Sequence, residues 1–225
     1  MEDVLIDATL VAAGISPERC GEERTARLND AELELYKQVL HAFAASGRPS
    51  PVWVRERATA LGFDADQVLA VLAREDLIHL GADGEIAVAY PFSGRPTRHQ
   101  VTIGGDREVW SMCAIDALGM AAMLGEPIEV RSSDPVSSEP VTITLDPGGK
   151  PKWDPAGAMV IAGTKCECIG PSYQGCCDVL NFFASQSNAE HYLAANPQVQ
   201  GHPITIPEAA DAGYAIVGDV LHPRA

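Results

Sequence analysis

Ile78 to Ile103 reads IHLGADGEIAVAYPFSGRPTRHQVTI, and the chain changes texture within it. Ile78-His79-Leu80 and Ile86 to Tyr90 are short β-favouring runs, and Gly81-Ala-Asp-Gly84 between them has turn chemistry, so this half is expected to be a hairpin. Beyond Pro91 the alternation of apolar and polar residues resumes at His99 to Ile103, the period of a strand with one buried face. Sequence before the stretch has helical spacing, and sequence after it is rich in strands.

Upstream, Leu33, Leu35, Val39, Leu40 and Phe43 recur on one face of a helix expected from Asp30 to Ala45. Pro49 and Pro51 interrupt it. A second helix is expected near Val52 to Leu61, stopped by Gly62, and a third from Asp64 or Asp66 with Val68, Leu69, Val71 and Leu72 inward. Three helices and a hairpin outline a winged-helix-like module over residues 1–90. Such a module either reads DNA through its third helix or serves as a structural or docking unit. That helix carries Asp64, Asp66, Arg74, Glu75 and Asp76, an acidic set that repels phosphate and favours the second role.

Downstream, residues 91–225 are expected to form a mixed β-sheet domain with flanking helices, making the chain α+β. Strands are expected at His99 to Ile103, Glu108 to Ser111, Ile128 to Arg131, Val141 to Leu145, Met159 to Gly163 and Val179 to Phe183. Helices are expected at Ala114 to Met123, Asn188 to Ala195 and Ile206 to Ala212. The segments Arg131 to Pro140 and Pro147 to Pro155 have the composition of loops.

The 225 residues are 46% hydrophobic, enough for a core that needs no disulfides. Sixteen basic residues against 31 acidic ones leave a charge of -15, which argues against binding nucleic acid or an anionic membrane. Met1 to Ile15 is expected to be a short amphipathic helix. Its Glu2, Asp3 and Asp7 stand where an export signal carries cations, so the expected compartment is the cytoplasm. Six cysteines, at 20, 113, 166, 168, 176 and 177, are then expected to be reduced, and clustered thiols in that setting are metal ligands or catalytic groups.

Two constellations carry chemistry. In Trp110-Ser-Met-Cys113-Ala-Ile-Asp116 the cysteine and aspartate fall one helical turn apart on one face. A cysteine at a helix N-terminus has its thiolate favoured by unsatisfied amides, and an aspartate on an apolar helix is costly without a task. Together they offer a thiol beside a proton-accepting carboxylate, or else a structural cysteine beside a solvent-facing aspartate. The second constellation is Cys166-Glu-Cys168 followed by Gly175-Cys176-Cys177. Gly170, Pro171 and Gly175 suggest a loop, and an extended chain would turn Cys176 and Cys177 to opposite faces, one to a site and one to the core. Thiolates select Zn, Cu(I) and other soft ions over Mg or Ca, and the spacing is not that of a paired zinc ribbon.

In this order and context, Trp110-Ser-Met-Cys113-Ala-Ile-Asp116-Ala-Leu and Gly175-Cys176-Cys177-Asp-Val-Leu-Asn-Phe182-Phe183-Ala-Ser185 closely resemble the alkylmercury (organomercurial) lyases. The resemblance extends to the helical module and to the run Tyr90 to His99. It implies cleavage of carbon–mercury bonds by protonolysis, with Cys113, Asp116 and Cys176 catalytic and Cys177 a buried structural neighbour. No cofactor is required, mercury being substrate and product ion, and cellular thiols or a mercuric reductase would accept the Hg(II). Cys166 and Cys168 depart from the family pattern, as does Met112. The alternative is a relative that holds a soft metal, copper or mercury, through Cys113, Cys166, Cys168 and Cys176/Cys177, with little or no lyase chemistry.

Overall fold

A computed structural model describes residues 21–165 and 172–222. The expected helix at Met1 to Ile15 lies outside the described residues, as do Cys20, Cys166 and Cys168.

The chain is a mixed α+β fold whose strands pair antiparallel throughout the described residues. Helix α1 (Gly21–Thr25) leads into α2 (Asp30–Ser46), α3 (Pro51–Ala60) and α4 (Ala65–Arg74). Asn29 caps α2: its side chain accepts from the amides of Ala31 and Glu32, and the Glu32 carboxylate accepts in turn from the Asn29 amide. Ser50 caps α3 and Asp64 caps α4 with single bonds, their side chains accepting from the Trp53 and Gln67 amides. Leu35, Tyr36, Val39, Leu40 and Phe43 are buried along α2, with Phe43 stacked on Phe92 at 5.6 Å.

Strands β1 (Ile78–Leu80) and β2 (Ile86–Ala89) form the expected hairpin, and β2 continues pairing with β3 (Phe92–Ser93). The hairpin therefore edges an eight-stranded sheet that runs on through β5 (Arg107–Ser111), β4 (His99–Ile103), β6 (Ile128–Ser133), β7 (Pro140–Leu145) and β8 (Lys152–Asp154). A second sheet places β9 (Met159–Lys165) between β10 (Phe182–Phe183) and β11 (Val199–Thr205). Helix α5 (Ala114–Leu124) is buried almost all round, packing on α7 (Ile206–Gly213), on a π-helical turn at Tyr214–Gly218, and on β4 and β6. Helix α6 (Gln186–Ala195) covers β9 and β11.

Several expectations require correction. The loop expected at Pro147 to Pro155 contains β8, and the strand expected from Val179 shrinks to β10, because Val179 and Leu180 bond back to the Cys176 carbonyl at 2.8 and 3.1 Å. Strand β11 was not expected at all. Gly201 lies opposite Gly163, and a Cβ on it would fall 2.4 Å from the Ala162 carbonyl oxygen, so the strand carries glycine where its neighbour comes too close for a side chain. Cys176 and Cys177 lie in a π-helical turn (Tyr173–Cys177), not in extended chain, which removes the basis for opposite faces.

Candidate active site

Cys113 is the N-cap of α5. Its backbone is extended (φ -150°, ψ 176°), and its sulfur accepts a hydrogen bond from the Asp116 amide at 3.3 Å, taking the place usually filled by a serine or aspartate oxygen. The same turn brings the Asp116 side chain back, so that the Cys113 thiol donates to Asp116 Oδ2 at 3.2 Å. Both residues are buried, which settles the orientation of Asp116: it faces inward, not solvent.

The cysteine turn meets this helix end from the other side. The Ala114 amide donates to the Leu180 carbonyl at 2.8 Å, which draws the segment after Cys177 against the start of α5. The Cys177 thiol then lies 3.9 Å from Asp116 Oδ2. One candidate ligand atom each from Cys113, Asp116 and Cys177 falls within 4.8 Å of the others, and all three residues are buried. Two thiols and one carboxylate at this spacing are a donor set for a soft cation, with a proton acceptor between the sulfurs. Cys176 is buried too and borders the same cavity, with its thiol 3.8 Å from Thr164 Oγ1. Of the six site residues expected from sequence, four thus gather at one cavity; Cys166 and Cys168 lie outside the described residues.

Burial sets the electrostatics. It raises the Asp116 carboxyl from 3.8 to about 6, against the opposing pull of the Cys113 thiol, the Arg24 guanidinium and the Cys177 thiol. The Cys113 thiol is pushed well above its ordinary range, first by burial, then by its bond with Cys177 and the charge of Asp116. For Cys177 the bond with Cys113 works downward, but burial and the charges of Asp116 and Cys176 outweigh it and the net shift is upward. The resting site is therefore two neutral thiols around a carboxyl poised close to neutrality.

The cavity measures about 60 Å³. Leu77, Ile115, Leu180, Ile216, Val217 and Val220 make its apolar walls, and Arg24, Tyr36, Tyr90 and Ser172 supply the polar remainder. Arg24, Tyr36, Leu77 and Tyr90 come from the N-terminal helices and hairpin, a contribution that sequence reading missed. The Tyr36 hydroxyl donates to the Tyr90 carbonyl at 2.8 Å and fixes the hairpin against α2. Elsewhere, His99 is buried against Ser132 (3.0 Å) and the Phe182 ring (5.6 Å), a packing role that burial enforces by lowering its imidazole to about 3.

The alkylmercury lyase family model matches residues 92–218, more than half of the chain. The chain belongs to the alkylmercury lyase family. Among curated members, it is 29% identical to an alkylmercury lyase of Pseudomonas putida over 171 residues, covering 76% of this chain and 78% of that one. It is 26% identical over 160 residues to that of Staphylococcus epidermidis, covering 71% and 72%. The fold is shared with the mercury-bound crystal structure of a protein named MerB2, at a TM-score of 0.72 and 22% identity, over 89% of this chain and 96% of that one. No helix among the described residues is long and apolar enough to cross a membrane.

Proposed function

We propose that this protein cleaves carbon–mercury bonds by protonolysis, releasing a hydrocarbon and Hg(II). The observation that carries the reading is the buried Asp116 carboxylate, one oxygen of which lies 3.2 Å from the Cys113 thiol and 3.9 Å from the Cys177 thiol, at the cavity that Cys176 also lines. Holding a metal needs sulfur; splitting a metal–carbon bond also needs a proton delivered in an apolar place, and Asp116 is built for that.

The chemistry follows from the arrangement. Cys176 takes the soft R–Hg⁺ cation first, losing its thiol proton to solvent as the sulfur–mercury bond forms. As the Cys113 sulfur closes on the same mercury, its proton passes along the existing hydrogen bond to Asp116. Two sulfurs push electron density onto mercury and weaken its bond to carbon. Asp116 returns the proton to that carbon, R–H departs, and Hg(II) stays on the two sulfurs. Cys177 steadies the carboxyl from the other side. The organomercurial and mercury are substrate and product, and the expected acceptor of Hg(II) is a cellular thiol or a mercuric reductase in the cytoplasm. In this reading the winged-helix-like N-terminal part, expected over residues 1–90, is a structural unit whose Arg24, Tyr36, Leu77 and Tyr90 close one wall of the cavity, in keeping with its acidic third helix.

The direct test is phenylmercury turnover under excess thiol, with benzene and Hg(II) measured together. Release of both supports the proposal; stoichiometric capture without benzene overturns it. In the same assay Cys176→Ser is expected to fall to the uncatalysed background, while Cys177→Ser keeps measurable turnover. Full activity in Cys176→Ser would instead move the second sulfur's role to Cys177. Activity should also depend on pH with a definite sign. Asp116 must be ionised to receive the thiol proton, and its carboxyl titrates near 6, so turnover should fall about tenfold per pH unit on the acid side of that value. A rate flat from pH 5 to 7 would contradict the assignment.

A further inference from the structure

Ser172 begins the turn that carries Cys176 and Cys177, and it is buried. Its amide donates to Asp76 Oδ2 at 3.2 Å and its hydroxyl to the same oxygen at 2.6 Å. Asp76 lies between α4 and β1, 96 positions earlier in the chain. The Arg24 guanidinium completes the junction: Nη2 reaches Asp76 Oδ2 at 3.2 Å and donates to Ser172 Oγ at 2.9 Å, while Nη1 donates to the Asp76 carbonyl at 2.7 Å. On the far side His79 Nε2 sits 2.8 Å from Asp76 Oδ1. One carboxylate thus gathers three partners from separate parts of the sequence.

We infer that Asp76 is a positioning residue for the cysteine turn, with Arg24 and Ser172 as the other two members of a latch that sets the second sulfur at its distance from Cys113. Three observations support this. Arg24 and Ser172 both line the cavity that holds Cys113, Asp116, Cys176 and Cys177, so the latch is continuous with the site. Asp76 is held with φ +56°, a left-handed conformation uncommon outside glycine and concentrated at functional positions. Burial works to raise its carboxyl, yet His79, Ser172 and Arg24 together bring it below the ordinary value, as expected of a carboxylate organised to stay charged. The N-terminal part therefore places a ligand-bearing segment in addition to covering it. Groups that orient metal-binding side chains typically change metal affinity or activity by about 10–100-fold when removed.

The inference rests on the two-sulfur reading above, so its test uses binding as well as turnover. Asp76→Asn keeps the size of the side chain, and asparagine is equally at home in a left-handed conformation. Ser172→Ala removes only the hydroxyl. Each is loaded with one equivalent of Hg(II) and challenged with dithiothreitol, and phenylmercury capture and turnover are followed separately. Both variants are expected to lose Hg(II) to the dithiol about 10–100-fold more readily than the wild type and to lose kcat in proportion. KM for phenylmercury should stay within about twofold, since a single sulfur suffices for first capture. Arg27→Ala, at an exposed ion pair with Glu75, should match the wild type.

Hg(II) retention within twofold of wild type in Ser172→Ala, at a temperature where circular dichroism shows it folded, would overturn the inference even if Asp76→Asn unfolds. A wild type that retains Hg(II) but releases no benzene would overturn the lyase reading alone. A wild type that yields Hg(II) as readily as the variants would overturn the latch.

Discussion

Asp116→Asn is expected to capture phenylmercury and release almost no benzene. Asparagine keeps the shape of the aspartate and can still accept the Cys113 thiol's hydrogen bond, now 3.2 Å long. It cannot take up a proton and hand it on. General acid–base groups contribute about 10²–10⁴ to rate, and a loss in that range with capture intact would place the missing step at carbon. Equal loss of capture would mean that Asp116 serves metal binding, not proton transfer. The same substitution should move stability in the opposite direction. In the native protein the carboxyl titrates near 6, above its ordinary 3.8, so the folded state favours the protonated form. That preference is fully present below pH 4 and is lost as pH rises through 6, at a cost of up to about 3 kcal/mol by neutral pH. At pH 8 the asparagine variant should therefore melt several degrees above the wild type, and the gap should narrow toward pH 5. A residue that weakens the fold at working pH and is needed for turnover is the signature of a site selected for chemistry.

The second large effect concerns a pair of glycines. Helices α5 and α7 meet at Gly119 and Gly213: a Cβ on Gly213 would fall 2.5 Å from the Ile115 carbonyl oxygen and 2.7 Å from the Gly119 nitrogen. Both are backbone atoms of α5, so relief requires moving the helix. Gly213→Ala is expected to destabilise the protein by about 1–3 kcal/mol, the usual range for overpacking, and Gly213→Val by more. Because Ile115 immediately precedes Asp116, the displaced helix should carry the carboxyl off its sulfur partners, and turnover should drop in the fraction that remains folded. Gly157→Ala serves as the comparison, its Cβ meeting nothing closer than the Ala184 carbonyl oxygen at 3.6 Å. Equal melting temperatures for the two alanine variants would show that α5 and α7 can part without cost.

Which of these features could be read from sequence depended on how local their causes are. Cys113 and Asp116 were legible because three residues of helix bring them to one face, and the capping sulfur follows from the same geometry. The α2–α3–α4 order and its hairpin were legible because their punctuation, Pro49, Pro51, Gly62 and Gly81 to Gly84, lies within them. The π-helical turn was not, since Gly170, Pro171 and Gly175 have the composition of a loop and a widened helical turn has no distinct period. Strand β11 was hidden by Gly201 and Pro203, which depress any local preference for strand and are tolerated at the sheet's edge. The latch could not be read at all: Arg24 and Asp76 are 52 residues apart, Asp76 and Ser172 another 96, and each looks like an ordinary surface polar residue until the fold joins them.

The cap on α5 has a consequence for how such a site can change over generations. One sulfur both begins the helix, through the Asp116 amide, and is one of the two proposed to bind mercury. Serine is among the best residues for the first duty and useless for the second. A descendant freed from exposure to organomercurials could thus exchange Cys113 for serine and lose the reaction while keeping the helix, leaving an inherited scaffold open to another trade.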